Sequence, residues 1–194
     1  MKRGSFMELN TNKKTNYRWI VCGFLWVAVA VNYVDRTALS AATPIIMKEF
    51  NIDGTEMGII MAAFFWAYAL LQVPMGYIAD KFGQRIVYSI AVAWWSIAQM
   101  CIAVCSSLFG FVTARLFLGV GEAGSYPCNV GVVSKWFPKH ERSRATAIFD
   151  SASKFGNAFA MQVVVCLITM FTWHAPFLIF GAIGIVWAIL WWFR

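Results

Sequence analysis

The sequence predicts an all-α membrane protein with six transmembrane helices, and three observations support this fold class. Hydrophobic residues make up 60% of the chain and charged residues only 13%, whereas a soluble domain is nearer half apolar and a quarter charged. The apolar residues fall into six runs, each close to the ~20 residues that cross the hydrocarbon core. Basic residues concentrate in alternate short loops between these runs, which is typical of cytoplasmic loops and disfavours a nucleic-acid partner for the net charge of +7.

The chain divides into a tail and a six-helix unit. Residues 1–17 are polar and basic and are interpreted as a cytoplasmic tail, while residues 18–194 carry the apolar runs. A basic start before an apolar run also occurs in signal peptides, with the small residues at 38–42 as a cleavage site, but five further spans follow. The predicted spans are Arg18–Thr43, Met57–Ile78, Ile86–Val104, Leu108–Val132, Arg144–Phe171 and Ala175–Phe193.

Loop charges predict the orientation of these spans. Twelve of the 16 lysines and arginines lie before span one, between spans two and three, between spans four and five, or after span six. The loops on the other side carry Lys48 alone, against Glu49, Asp53 and Glu56. Because positively charged loops stay on the cytoplasmic side, both termini are predicted to be cytoplasmic.

Span one contains the polar stretch Asn32-Tyr33-Val34-Asp35-Arg36 inside an apolar run. An ionised side chain at the middle of a membrane costs roughly 3 kcal/mol on insertion scales. Such residues persist where they face a partner or a water-filled cavity, so this stretch is a candidate functional site.

Span four carries a second polar stripe. Arg115, Glu122 and Asn129 follow one another at intervals of seven and therefore share one helix face. Three glycines in the same stretch allow close helix packing. An alternative interpretation is a purely structural ion pair between Arg115 and Glu122.

Span five adds Asp150, Lys154 and Asn157. Asp150 and Lys154 are four residues apart and can pair on one face. The pair is interpreted either as structural or as part of the lining of a cavity.

Nothing in the sequence indicates an enzyme, a metal site or a cofactor. All five cysteines fall in apolar runs, and His140 and His174 lie near span ends. This pattern argues against a disulfide framework and against metal-ligand spacing.

The loop between spans two and three has a recognisable pattern. Gly76 permits close helix approach, Asp80 can bond backbone amides or a basic neighbour, and Gly83 allows a tight turn before Arg85. The loop resembles the signature loop of the major facilitator superfamily, glycine-x-x-x-aspartate-basic-x-glycine-x-basic. Gln84 stands where a second basic residue is common. An ordinary basic cytoplasmic loop is the alternative.

Two further stretches resemble the same superfamily. Span four begins with Arg115-x-x-x-Gly119, and Trp136-Phe137-Pro138 ahead of Glu141-Arg142 is similar to the common loop between spans four and five. The tryptophan and phenylalanine also suit a membrane-surface anchor. Span five lacks the glycine-proline signature of drug/proton antiporters, which disfavours an exporter.

Residues 32–36 together with residues 121–127 resemble the anion:cation symporter family, which includes bacterial permeases for galactonate, glucarate and hexuronate. The resemblance covers residues 17–194 and implies the N-terminal six-helix half of a carrier in the bacterial inner membrane, built from two inverted three-helix repeats. It also implies a C-terminal six-helix half as partner. A homodimer of halves and a truncated, non-transporting half are the alternatives.

In this scheme spans one and four are equivalent, and each holds an acid–base set: Asp35 with Arg36, and Glu122 with Arg115. The resemblance implies that Arg36 binds the anion and that Glu122 is a proton site. An arginine fork suits a carboxylate ligand. The hypothesis is that protonation of Asp35 and Glu122 releases Arg36 and Arg115 to bind a small organic anion, so that proton and anion favour each other.

Two further sets of residues complete the expected site. Asn32 and Tyr33 are expected to hydrogen-bond polar groups of the substrate. The loop residues Gly76, Asp80, Gly83 and Arg85 are expected to act in the conformational change. Other major facilitator carriers, an anion exchanger or a sodium-coupled carrier, are the alternative functions.

Overall fold

Residues 17–193 fold into seven α-helices joined by short connections, and this is the range that the computed structural model describes. No strand occurs within that range. The predicted tail with Lys2, Arg3, Lys13 and Lys14, and the final Arg194, lie outside the described residues. The helices are α1 (Tyr17–Phe50), α2 (Gly54–Phe82), α3 (Gln84–Ile102), α4 (Leu108–Glu122), α5 (Ser125–Trp136), α6 (Lys139–Met170) and α7 (His174–Trp192).

The helices confirm the predicted spans. Five of those described, α1, α2, α3, α6 and α7, are each long and apolar enough to cross a membrane. They correspond to spans one, two, three, five and six. Span four is occupied by α4 and α5 in succession.

Span four was predicted as one helix, and this was wrong in detail because the helix is interrupted at Ala123 and Gly124. Pro127 has no N–H, so the carbonyl of Ala123 four residues earlier loses its usual helical partner. Both residues at the break nevertheless keep right-handed helical dihedrals, with φ −56° and ψ −28° at Ala123 and φ −78° and ψ −15° at Gly124. The interruption therefore lies one residue after Glu122 and does not reverse the chain.

Three helices are longer than the hydropathy pattern predicted. α2 runs from Gly54 to Phe82 and so extends the predicted span at both ends. α1 continues past Thr43 and through Pro44 to Phe50, and α6 begins at Lys139 rather than at Arg144. Hydropathy marks only the part of a helix that lies in hydrocarbon, whereas a 34-residue helix is about 50 Å long and extends beyond it.

The helix pairing has an internal symmetry. The most extensive contacts are those of α1 with α6, α3 with α7, and α2 with α4, which are spans one–five, three–six and two–four. Exchanging span one with four, two with five, and three with six leaves this set of pairs unchanged. Two equivalent three-helix repeats produce that pattern.

Glycines permit the closest of these contacts. A Cβ added at Gly119 would lie 2.5 Å from the carbonyl oxygen of Phe64 on α2, and one at Gly121 would lie 2.8 Å from Cβ of Trp95 on α3. Both distances are too short for any side chain. The predicted thinning of span four by glycine is therefore confirmed at these two positions, and α4 lies directly against both neighbours.

Arginines tie the helix ends together on the side of the basic loops. Arg142 donates to the carbonyls of Phe137 (3.0 Å) and Ser134 (2.6 Å) and so satisfies the C-terminal end of α5. Arg18 at the start of α1 pairs with Glu141 on α6 at 3.0 Å. These contacts fix spans one, four and five relative to one another.

Candidate functional site

The charged residues of spans one and four meet in the middle of the bundle. Glu122 is completely buried at the end of α4, and Arg36 reaches across from α1 so that its Nε donates to Oε2 of Glu122 at 2.8 Å. The Arg36 side chain keeps 21% of its surface exposed. A charge-assisted hydrogen bond therefore joins the two repeats at their equivalent helices.

Aromatic rings of α2 surround the arginines. The Cζ atom of Arg36 lies 4.7 Å from the ring centre of Tyr68 and 5.0 Å from that of Phe64. The Cζ atom of Arg115 lies 4.8 Å from the same Phe64 ring. Both guanidinium groups are thus within cation–π range of one phenylalanine. Tyr33 adds a third ring, 5.2 Å from Cζ of Arg36.

Arg115 does not pair with Glu122, which corrects the predicted acid–base set of span four. Among the described residues its Nε and Nη1 have no hydrogen-bond partner, although the residue is only 3% exposed. Seven residues correspond to about 10.5 Å along a helix axis, so both side chains would have to extend toward each other. Glu122 forms its ion pair with Arg36 instead.

Asp35 does not pair with Arg36, which corrects the predicted set of span one. The two side chains leave α1 about 100° apart, and only that of Arg36 reaches α4. Asp35 is fully buried, and neither of its carboxylate oxygens has a hydrogen-bond partner within residues 17–193. Its backbone carbonyl accepts a bond of 3.4 Å from Nε2 of Gln99, a buried residue on α3.

A small cavity of about 40 Å³ lies beside the ion pair, between α1, α2, α5 and α6. Its lining includes four polar residues that the sequence pattern singled out in spans one and four: Asn32, Tyr33, Arg36 and Asn129. Asn129 is buried, and neither its amide nitrogen nor its amide oxygen has a partner in the described chain. The polar lining continues the stripe that the spacing of span four predicted.

Span five contributes Asp150 to the same cavity. No ion pair joins Asp150 to Lys154 in the described part of the chain, so the predicted i,i+4 pair does not form. Asp150, Lys154 and Asn157 are exposed along one side of α6. This side is a polar surface beside the cavity.

The predicted loop between spans two and three is mostly helical in the structure, with Gly76 and Asp80 in the last turns of α2 and Arg85 in the first turn of α3. Apolar character ends before these helices do, so hydropathy predicted a loop here. The side chains of this segment form a chain of contacts. Oδ1 of Asp80 accepts from Nε2 of Gln84 at 3.1 Å, and Oε1 of Gln84 accepts in turn from Nζ of Lys135 on α5. Gly83 alone separates α2 from α3 and has a φ of +93°, which favours glycine. Gln84, where a basic residue is common, is therefore a buried bridge between the loop and span four.

The remaining loop residues make contacts with other spans. Nε of Arg85 donates to the carbonyl of Trp192 at the end of α7 at 3.1 Å. A Cβ built at Gly76 would touch Cβ of Pro127 at 3.5 Å, so α2 runs close to the interrupted part of span four. The loop is thus linked to spans four and six.

Sequence reasoning missed three residues of this region: Phe64, Tyr68 and Gln99. The two aromatic residues lie four apart in an apolar run, where nothing distinguishes them from lipid-facing side chains. Gln99 had a usable signal, because an uncharged polar residue in the middle of predicted span three is uncommon. No group of three or more potential metal ligands occurs among the described residues.

Comparison with known proteins identifies the family. The profile of the Major Facilitator Superfamily matches residues 25–194. The D-galactonate transporter of Escherichia coli O6:H1 is 34% identical over 185 residues, which cover 95% of this chain and 43% of that protein. The probable galactarate/D-glucarate transporter GudP of Bacillus subtilis is 31% identical over 201 residues, with 98% and 43% covered. The chain spans less than half the length of these relatives and covers their N-terminal half.

Other matches agree with these. The chloroplastic ascorbate transporter of Arabidopsis thaliana is 34% identical over 176 residues, which cover 90% of this chain and 32% of that protein. A crystal structure of a bacterial homolog of the human lysosomal transporter Spinster, inward-facing and occupied, superposes with a TM-score of 0.79 at 23% identity. The superposition covers 93% of this chain and 44% of the homolog's chain. At this sequence identity the match supports the fold and nothing about function.

The predicted resemblance to sugar-acid permeases and the predicted fold class are both confirmed by these matches. Because the family profile matches most of this chain, the chain belongs to the Major Facilitator Superfamily of membrane transporters.

Proposed function

We propose that this chain is the N-terminal half of an alternating-access carrier that moves a small organic anion, a sugar acid or related carboxylate, together with protons. The observation that carries the proposal is the Arg36–Glu122 pair across spans one and four. Arg115 lies nearby, and no described residue accepts a hydrogen bond from its Nε or Nη1. The names of the relatives support the substrate class.

Arg115 and Arg36 are the proposed anion ligands. Arg115 has donors to spare in a buried position, and a substrate carboxylate would satisfy them in the fork geometry that arginine favours. Arg36 is engaged by Glu122 while that carboxylate is charged. When Glu122 takes up a proton, the ion pair weakens and Arg36 becomes available to a second oxygen of the anion.

Glu122 and Asp35 are the proposed proton-coupling residues. A buried carboxyl group without hydrogen-bond donors is tolerated in hydrocarbon far better when it carries a proton. Asp35, which lacks such donors, is therefore the proposed resting proton site, and Glu122 is the site whose protonation accompanies binding. Proton and anion then favour each other through reciprocal coupling.

Asn32 and Tyr33 are proposed to contact the hydroxyl groups of the substrate, because both line the cavity beside Arg36. The loop residues Gly76, Asp80, Gly83 and Arg85 are proposed to hold the ends of spans two, three, four and six in one conformation. Breaking these contacts would accompany the change of conformation.

A C-terminal six-helix half is the proposed partner. The exposed polar side of α6, with Asp150, Lys154 and Asn157, is difficult to place against lipid and would be satisfied by another polar surface. The proposed domain arrangement is a cytoplasmic tail over residues 1–17 followed by the half over residues 18–194, with both termini cytoplasmic. Bacterial inner membrane is the proposed location.

A sodium-coupled carrier is the second candidate. The two carboxylate oxygens of Asp35, which have no hydrogen-bond partner among the described residues, are ligands of the kind that hard cations take. An anion exchanger would use the arginines without net ion coupling.

Uptake by the complete carrier in proteoliposomes distinguishes these functions. Galactonate, galactarate and glucarate would be tested against an inward proton gradient, an inward sodium gradient, and no gradient with substrate loaded inside. Accumulation driven by the proton gradient alone is expected. Accumulation that requires sodium, or exchange without accumulation under any gradient, would contradict the proposal.

A further inference from the structure

A second cavity lies at the end of the bundle that carries the basic loops, far from the ion pair of spans one and four. Its volume is about 300 Å³, and it is enclosed by the ends of α1, α3, α5 and α7. Among residues 17–193 its lining includes Arg85 and Lys135 but no acidic residue. The cavity is therefore a locally positive site between helix ends.

Both cations in the lining lack an acidic partner. Arg85 donates to the carbonyl of Trp192, and Lys135 donates to the carboxamide of Gln84. No carboxylate within residues 17–193 forms an ion pair with either of them. The nearest carboxylate on this path is Asp80, which contacts Gln84 and not Lys135 itself. Each cationic side chain has more N–H groups than these contacts use, so both retain donors for an anion.

A third donor lies in the same lining. Trp191 is 5% exposed, and its indole Nε1 has no hydrogen-bond acceptor in the part of the chain that the structure describes. A buried N–H without a partner costs free energy, which a ligand oxygen would recover once the ring turned its N–H toward the cavity. The lining therefore combines cations of spans three and four with an indole of span six whose N–H has no acceptor among the described residues.

The rest of the wall is apolar and aromatic. Val21, Val132, Tyr17 and Trp136 contribute, and the rings of Tyr17 and Trp136 are 5.7 Å apart. Tyrosine and tryptophan are typical of the level where lipid headgroups meet hydrocarbon. A ligand of this cavity thus needs an anionic, oxygen-rich part and an apolar part.

We propose that this cavity binds the headgroup of an anionic phospholipid. Arg85 and Lys135 contact the phosphate, Trp191 donates to a phosphate or glycerol oxygen, and the acyl chains leave along the apolar wall. Basic pockets between transmembrane helices bind lipid headgroups by this chemistry. The proposal depends on the membrane location of the family and is independent of the proposed substrate.

The test adds lipid stepwise to the complete carrier, purified in detergent, and measures the melting temperature at each lipid concentration. Dioctanoyl phosphatidylglycerol is expected to stabilise the wild type more than dioctanoyl phosphatidylcholine does. In Arg85→Gln/Lys135→Gln the half-saturating concentration should rise at least about tenfold, because two charge-assisted contacts are lost. Glutamine retains an N–H for the carbonyl of Trp192 and for Gln84, which protects the fold.

Two comparisons make the test specific. The control Lys81→Gln/Lys139→Gln removes two exposed cations from the same end of the bundle without touching the cavity lining, and it should leave the titration within about twofold of wild type. Trp191→Phe keeps the ring and removes the donor. It should raise the half-saturating concentration several-fold, about as one hydrogen bond does.

Several results would overturn the proposal. Equal stabilisation by phosphatidylcholine would remove the charge preference, and equal stabilisation by glycerol 3-phosphate would indicate a soluble phosphate ligand. An equal loss in the control double variant would indicate surface charge alone. If Arg85→Gln/Lys135→Gln does not fold, unchanged titrations of Lys135→Gln and Trp191→Phe would decide against the site.

Discussion

Span one and span four carry the same two types of charged residue, and the structure uses them differently. Arg36 of span one is paired at 2.8 Å and partly exposed. Arg115 of span four is only 3% exposed, and no described residue accepts a hydrogen bond from its Nε or Nη1. The acidic residues show the opposite arrangement: Glu122 of span four is paired, whereas no donor within residues 17–193 reaches either carboxylate oxygen of Asp35 in span one.

This difference indicates which groups need something from outside the half. The paired residues link the two repeats and hold each other in place. The unpaired residues are buried without the contacts that normally compensate burial. We therefore interpret Arg115 as a ligand of the substrate anion and Asp35 as a proton site. Arg36 and Glu122 form the ion pair that must break when substrate binds.

The largest expected effect follows from breaking that pair on one side only. Arg36→Gln strands the Glu122 carboxylate in the core, and removing one partner of a buried pair costs about 3–5 kcal/mol of stability. Arg36→Gln/Glu122→Gln should recover part of this loss, because no charge is left alone. Arg115→Gln is the matched control and should destabilise less, since it strands no hydrogen-bonded partner.

Unfolding of the purified chain in detergent measures these differences. Wild type and the three variants would be compared by melting temperature at equal detergent. Two results would contradict the distinction between the paired Arg36 and the unpaired Arg115. One is that Arg115→Gln is as destabilising as Arg36→Gln, and the other is that the double variant recovers none of the lost stability.

A second prediction separates binding from stability. Arg115→Lys keeps the charge and loses the fork, so anion affinity of the complete carrier should fall by at least about tenfold, as expected for one charge-assisted contact. Folding should change little. Calorimetric titration with the preferred sugar acid gives the affinity, and unchanged affinity in Arg115→Lys would remove Arg115 from the anion site.

The comparison of spans one and four also shows which features could be predicted from the sequence. Six spans and both charged sets could be predicted, because membrane thickness fixes the length of an apolar run and because charge inside such a run is costly. Which acid pairs with which arginine could not, since Asp35 and Arg36 are neighbours in sequence but leave the helix in different directions. Spacing along one helix gives a shared face, not a contact across helices.

Two other features were outside the reach of sequence patterns for similar reasons. Phe64 and Tyr68 are aromatic residues in an apolar span, and only the close approach of α2 to Gly119 on α4 brings them to the arginines. The interruption of span four was signalled by Pro127. Hydropathy alone does not register it, because proline removes a hydrogen bond without removing apolar character.

A third prediction concerns the rings. Tyr68→Leu should weaken anion binding by a few-fold to about thirtyfold, because a desolvated cation–π contact is worth ~0.5–2 kcal/mol and positions Arg36. Tyr68→Phe should retain most of the affinity. Phe65→Leu, an exposed ring on the same helix, is the control. Equal affinities in Tyr68→Leu and Phe65→Leu would show that the ring does not position the arginine.

The smallest expected effect lies at the signature loop. A Cβ at Gly131 would approach Nε2 of Gln84 to 2.6 Å, so Gly131→Ala should displace the carboxamide from Asp80 and Lys135. A loss of about 1 kcal/mol is expected, comparable to one or two neutral hydrogen bonds. The same change in a Gln84→Ala background should cost nothing further. An equal cost in both backgrounds, by melting temperature, would exclude Gln84 as the cause.

In the proposed mechanism, protonation of Glu122 frees Arg36 and thereby couples proton to anion. The most direct test is Glu122→Gln in the complete carrier, with exchange and proton-driven accumulation measured on equal amounts of folded protein. Exchange is expected to persist and accumulation to be lost. The rise in substrate affinity that is expected of the wild type on lowering the pH should disappear in the variant. Intact proton-driven accumulation in Glu122→Gln would contradict it.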